Sequence, residues 1–167
     1  GNIDKNKNIE TTVKAIEILQ KDGYNIKFTA IGRIKNEKIY NRIKYIPFLT
    51  YLSPKPKEEL IEIYRDNDIF LMPSKKETFG LVYVEAMSQG LPVIDTKGQG
   101  FDGQYENGLV GYSVDALNAN EIARRVVDIM NKYQMLSRNA GIFCTNYNWN
   151  AICNNYAKIY EEVKREE

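Results

Sequence analysis

The run Glu77-Thr-Phe-Gly-Leu-Val-Tyr-Val-Glu85 constrains this chain most, because it sets two carboxylates at either end of an otherwise apolar strand-to-helix junction. Ahead of it, Asp68-Ile-Phe-Leu-Met-Pro-Ser74 is a short apolar run closed by Pro and Ser, the pattern of a buried parallel strand ending in a loop. Behind it the spacing predicts a helix over 80–89, stopped by Gly90-Leu91-Pro92. Glu85 then has Leu81, Val82, Val84, Ala86 and Met87 around it, with few polar neighbours. Burying an unpaired carboxylate costs on the order of several kcal/mol, so the expectation is a Glu85 with a hydrogen-bonding partner. The alternative is a solvent-facing glutamate on an amphipathic helix.

At the carboxyl end of a strand in an open α/β sheet, a helix N-terminus points free backbone N–H groups and a positive dipole end into a ligand crevice. The N–H groups of Phe79, Gly80 and Leu81 are placed to hold phosphate oxygens there, with Gly80 allowing close approach. Glu85, a turn or two further in, could accept both hydroxyls of a ribose. Glu77, in the loop before the helix, would face whatever the phosphates carry; its alternative is an acid favoured by the helix dipole alone. A phosphate, a diol and a third group in a row describe a nucleotide sugar.

The block Pro73-Ser74-x-x-Glu77-x-Phe79-Gly80-Leu81-Val82-x-x-Glu85-Ala86-Met87-x-x-Gly90-Leu91-Pro92-Val93-Ile94 closely resembles the signature of the retaining glycosyltransferases of the GT-B fold, called group 1 or family 4. The resemblance extends over nearly the whole chain. Residues 1–19 look like the family's opening phosphate loop and first helix, 48–74 like its base-binding region, and 149–163 like its closing helix. It implies the C-terminal, donor-binding half of that fold: a Rossmann-like three-layer α/β/α sandwich with a parallel sheet, filling 1–167 as one domain. Gly1 matches the glycine that ends the first strand of that half, so the chain reads as a fragment lacking that strand and the N-terminal acceptor domain. Alone, it is expected to bind donor and transfer nothing.

By the same resemblance Glu77 is the catalytic residue beside the sugar ring. Lys7 and the helix start at Phe79, Gly80 and Leu81 hold the donor diphosphate, and Glu85 holds the ribose. Tyr51 and Leu52 fall where the family reads the base, largely through backbone groups, so they do not tell UDP from GDP; ordinary core and turn residues would look the same. Asn2 stands where the family usually has an arginine, which removes a bidentate phosphate donor. Lys5 is a candidate substitute, and a Lys7 simply solvated among Lys5 and Lys14 is the alternative for that residue. Lys75 and Lys76 border the site and would steer anions, or are merely exposed. No cofactor and no metal are implied beyond the nucleotide sugar, and no aspartate pair suited to a divalent cation stands near these positions. The acceptor would be a glycan or glycolipid on the other half. Two further readings stay open: a GT-B epimerase or phosphorylase, and a non-catalytic nucleotide-sugar-binding module.

Composition narrows the classes. In 167 residues, 43% apolar and 27% charged residues describe an ordinary globular domain with a sizeable core. A net charge of +1 with both signs interspersed lacks a polyanion-binding footprint, so nucleic acid is not an expected partner. No apolar run approaches the roughly 20 residues of a membrane-spanning helix. The expected location is cytoplasmic, with any peripheral membrane contact carried by the lacking half. With no histidine there is no imidazole base, Ser-His-Asp triad or His-type zinc site. Cys144 and Cys153 lack metal-type spacing and read as reduced and partly buried.

Periodicity predicts helices over 8–21, 33–44, 57–65, 120–133, 134–146 and 150–164, and strands over 26–31, 46–49, 69–72, 91–95 and 110–113. Five glycines within 97–111 predict a mobile loop. Trp149, Tyr156 and Tyr160, at helical spacing, predict packing of the last helix rather than a sugar platform.

Overall fold

In the computed structural model, which describes residues 1–166, helices and parallel strands alternate as their periodicities require. The order is α1 (Ile9–Lys21), β1 (Phe28–Ile31), α2 (Glu37–Ile43), β2 (Leu49–Leu52), α3 (Lys57–Arg65), β3 (Phe70–Leu71), α4 (Leu81–Met87), β4 (Val93–Thr96) and β5 (Gly111–Val114). There follow α5 (Ala119–Asn131), α6 (Tyr133–Phe143), a 3-10 turn (Cys144–Tyr147) and α7 (Trp149–Glu166). β1 pairs with β2, and β4 lies between β3 and β5, every pairing parallel. Parallel neighbours need a crossover, which the helices supply.

Two of the boundaries that moved did so for identifiable reasons. α2 starts at Glu37 rather than 33 because Ile34 is spent in a parallel bridge to Ile3, and because Asn36 caps the Ile39 N–H with its side chain. β2 starts where the expected strand over 46–49 ends. The N–H groups of Ile46 and Leu49 donate to Ile43 and Ile46, so that segment is a turn leaving α2.

The β3-β4-β5 sheet carries helices on both faces, the α/β/α layering expected of a Rossmann-like domain. On one face Ile94, Tyr112 and Val114 pack against Leu19 of α1 and Ile122, Val126 and Ile129 of α5. On the other, Met72 and Val93 meet Tyr83 and Met87 of α4 and Ala140 of α6. Helix α1 also reaches the second sheet, where Ile9 and Val13 join Ala30, Ile39, Ile43 and Leu49. It therefore bridges the two sheets. Its entry is set by Asn8, the one described non-glycine residue with positive φ, at 55°. The buried Asn8 amide donates to the carbonyls of Pro73 and Ala116, tying α1 to the ends of β3 and β5.

Two expectations fail. The glycine-rich segment is anchored, because Phe101 is buried against Tyr83, with ring centroids 4.8 Å apart, and Asp102 accepts from the Gly98 N–H. Trp149, Tyr156 and Tyr160 do not pack. They stand 76%, 58% and 67% exposed on α7, which leans on the body through the 3-10 turn before it. Of the cysteines Cys144 is half-buried and Cys153 exposed, both free.

Candidate functional site

Three loops meet at the carboxyl ends of the strands. In the first, Asp4 accepts from the backbone N–H groups of Asn6 and Lys7, each at 2.9 Å, closing a turn that aims Lys7. Asn6 clamps this loop to the second. Its side chain donates to the Lys76 carbonyl and accepts from the Lys76 N–H, and its own carbonyl accepts from Lys75. Lys7 Nζ thereby reaches Glu77 Oε2 at 2.6 Å, with the pair largely shielded from solvent. The third loop grips Glu77 by its backbone: the N–H donates to Gln99 Oε1, and the carbonyl accepts from Gly100. Gly100 has to be glycine, since a Cβ there would lie 1.7 Å from the Thr78 carbonyl oxygen.

Gly80, at φ 82°, turns the chain into α4 against the Tyr83 ring. Tyr83 is buried, donates to the Met72 carbonyl at 2.6 Å, and is held protonated far above the ordinary phenol range by that burial. On the seven-residue helix Tyr83, Ala86 and Met87 take the core face. Glu85 is consequently turned outward and exposed, which corrects the expected buried carboxylate with its obligatory partner. Water solvates it, so no partner is required.

Glu85 lines a cleft of about 570 Å³. Its mouth is polar, formed by Gly1, Asn2, Lys7, Arg33 and Glu85, and its floor is apolar, running between β1 and β3. The Gly1 backbone nitrogen donates to the Ile31 carbonyl at 3.0 Å. Asn2 is exposed at the mouth and Lys5 exposed nearby. Other expected residues stand outside the cleft lining. Tyr51 donates its hydroxyl to the Gly32 carbonyl at 2.8 Å and packs edge-on to Tyr40, while Leu52 is half-buried in β2. Phe79 lies in an aromatic cluster with Phe101 and Tyr147, and Leu81 is 66% exposed beside Gly80.

The sequence reading did not find Arg33, Asp4, Asn6, Asn8 or Gln99. Arg33 had a signal: it follows Gly32 at the end of a strand, where α/β proteins bind ligands. The amide and carboxylate clamps had none, because each acts on a loop distant in sequence.

The family model described as "Glycosyl transferases group 1" matches residues 1–141. The chain belongs to the group 1 glycosyltransferases. Relatives of this glycosyltransferase chain include a D-inositol 3-phosphate glycosyltransferase from Corynebacterium kroppenstedtii, 30% identical over 71% of this chain and 27% of the relative. The capsular polysaccharide biosynthesis glycosyltransferase CapM of Staphylococcus aureus is 30% identical over 78% of this chain and 35% of the relative. The chain thus spans about a third of these relatives' length. In fold it matches the pneumococcal O-GlcNAc transferase GtfA, solved in complex with UDP and GlcNAc, with a TM-score of 0.78 at 21% identity, over 97% of this chain and 34% of that one. The α/β architecture of this glycosyltransferase is that of the GT-B enzymes. Among the described residues no group of three or more acidic or thiol side chains gathers as a metal site, and no helix is long and apolar enough to cross a membrane.

Beneath the loops of this glycosyltransferase, Asp95 is buried on β4 with a carboxyl pKa raised to about 7. Burial is the main cause; the Ser113 hydroxyl offsets part of it and the nearby Asp102 adds to it. Its Oδ1 has no hydrogen-bonding partner among the described residues.

Proposed function

We propose that this chain is the C-terminal, donor-binding domain of a retaining, family 4 hexosyltransferase. It would take a UDP- or GDP-linked sugar and pass the sugar to a growing glycan or lipid-linked acceptor held by an N-terminal domain. The observation that carries the reading is the cleft mouth, where Lys7 and Arg33 supply positive charge, Glu85 stands free, and Glu77 lies against Lys7 at 2.6 Å. Lys7 would bind the diphosphate, helped by backbone N–H groups at Phe79, Gly80 and Leu81. Glu85 would accept the ribose hydroxyls, Tyr51 and Leu52 would flank the base through their backbone, and Glu77 would face the sugar.

In this mechanism the anomeric carbon–oxygen bond breaks with the departing diphosphate held by fixed positive charge, a contribution of several kcal/mol in preorganised sites. Neither a metal nor a cofactor is invoked. Asn2 cannot supply a bidentate contact, and Arg33, on the segment paired beside it, would supply that charge. The relative solved with UDP and GlcNAc supports a nucleotide donor, and CapM supports a polysaccharide acceptor.

The exposed Asn2 also favours a second reading, a nucleotide-sugar-binding module without catalysis. Glu77→Ala in a protein carrying both domains separates the two: under the first reading transfer falls by at least about a hundredfold. Transfer unchanged by that substitution removes Glu77 from the mechanism.

A further inference from the structure

Asp95 sits near the end of β4, on the face that β4 shares with Val93, and Ser113 is its partner in register on β5. Both are buried, at 5% and 6% exposure. Asp95 lines a cavity of about 10 Å³, room for a single water, and its Oδ1 makes no hydrogen bond among the described residues. The titratable groups described around it are acidic or phenolic. Tyr105, Glu106 and Tyr112 line the cavity, Asp102 lies close by in the loop above, and Tyr83 of α4 stands between Asp95 and Glu77, its phenol feeling both carboxyls. Helix α6 contributes Ala140 and Phe143 to the same core. Lys97 is paired with Glu121 at 2.6 Å and acts on Asp102. A carboxylate in this place has no cation beside it and too few donors, so the protonated form is the one that fits, and burial raises the pKa to about 7.

Counting protons gives the same answer. A hydroxyl has one proton to donate. The Ser113 hydroxyl serves both Asp95 and Asp102. Asp102 is the ionised partner, because the Gly98 N–H in the first place holds its carboxyl below the ordinary range. With Asp95 protonated, the set closes: Asp95 donates to Ser113 Oγ, and Ser113 donates to the Asp102 carboxylate. Without that proton, two carboxylates compete for one donor.

Asp102 in turn closes the turn 98–102. Its Oδ2 accepts from the Gly98 N–H at 2.7 Å, and its own N–H donates to the Gln99 carbonyl at 2.9 Å. Inside that turn lie the two groups that hold Glu77 by its backbone, Gln99 Oε1 on the N–H and the Gly100 N–H on the carbonyl. A displacement of Asp102 therefore reaches Glu77 through a closed ring of five residues.

We propose that the Asp95 carboxyl, in its protonated form, is a positioning residue for Glu77: through Ser113 and Asp102 it seats the 98–102 turn, and loss of its proton loosens the turn's hold on the Glu77 backbone. The folded value lies above the ordinary one, so the seat is fully set in mildly acid solution and is released as pH rises through about 7. That this release alters sugar transfer rests on the donor-domain reading; the coupling between Asp95 and the Glu77 backbone does not.

The test records amide spectra of the ligand-free protein from about pH 5.5 to about pH 8 for the parent, Asp95→Asn and Asp102→Asn. In the parent the Glu77, Gln99 and Gly100 amides move together with one midpoint near pH 7. Asp95→Asn keeps the shape and a donor but has no proton to lose, so the three amides stay flat over that range. Asp102→Asn keeps an acceptor for the Gly98 N–H and removes the neighbouring charge, so the midpoint falls by at least about half a pH unit. This second variant decides the matter if the first does not fold. Amides that are flat in the parent, a midpoint that persists in Asp95→Asn, or a midpoint unmoved in Asp102→Asn overturns the proposal. No nucleotide enters the measurement, so its failure and a failure of the donor assignment are told apart.

Discussion

Lys7 Nζ and Glu77 Oε2 lie 2.6 Å apart although seventy positions separate them in the chain. Asn6 brings them together by binding both Lys75 and Lys76, so the ion pair depends on a neighbouring amide rather than on the pair's own attraction. The arrangement keeps one positive and one negative group ready at a cleft mouth.

A diphosphate must compete with Glu77 for Lys7. Lys7→Met is expected to weaken binding of both UDP and inorganic pyrophosphate by about tenfold or more, the loss of a charge-assisted hydrogen bond. Glu77→Gln is expected to keep or raise diphosphate affinity while preference for the sugar conjugate falls. Calorimetric titration of each variant with pyrophosphate, UDP and a UDP-sugar checks both.

Glu85 is exposed, so its replacement tests the site without a penalty in folding. Glu85→Gln is expected to leave the melting temperature and pyrophosphate affinity unchanged and to weaken nucleotide binding. Equal losses for pyrophosphate and nucleotide would mean that Glu85 does not serve the ribose.

The strand-to-helix junction that carries Glu77, Gly80 and Glu85 was legible because it sits in one contiguous block whose punctuation survives in the fold, whereas Lys7 and Arg33 come to the cleft from distant parts of the chain. The boundaries of β3 and α4 follow Pro73, Gly80 and Gly90, residues whose effect on the backbone is local. The environment of Glu85 was misread because the apolar neighbours that suggest burial lie around a helix, and only tertiary packing decides which face Tyr83, Ala86 and Met87 claim. The side chain of Tyr51, a residue expected to read the base through its backbone, donates its hydroxyl to the Gly32 carbonyl. Asn8 was invisible for another reason. An asparagine before a helix reads as an ordinary cap, whereas here its amide spans 65 and 108 positions to reach Pro73 and Ala116.

Removing that amide leaves two carbonyls without their donor and puts alanine into a left-handed conformation. Asn8→Ala is expected to destabilise the fold by about 2–4 kcal/mol. Asn8→Gly restores the backbone freedom but not the hydrogen bonds, and should recover part of the loss. Urea denaturation of the three proteins measures the difference.

Asp95 makes stability depend on pH. Its folded pKa, about 7, lies above the ordinary value of 3.8, so the folded state holds a proton that the unfolded chain releases. The favourable contribution is complete below about pH 4 and is lost as pH rises through 7. Asp95→Asn is therefore expected to be more stable than the parent at pH 8, by on the order of 2–4 kcal/mol, and close to it at pH 4. Thermal melts from pH 4 to pH 8 show whether the gap opens in that window.

The central claim is a nucleotide diphosphate site at the cleft mouth, and amide chemical-shift mapping of the folded chain titrated with UDP and GDP tests it most directly. The account predicts saturating shifts at Asn2, Lys7, Arg33, Gly80 and Glu85 with a dissociation constant nearer about 1 mM than 1 nM, and no sugar transfer without an acceptor domain. A folded chain that shows no shifts with either nucleotide, or shifts only away from these residues, contradicts it.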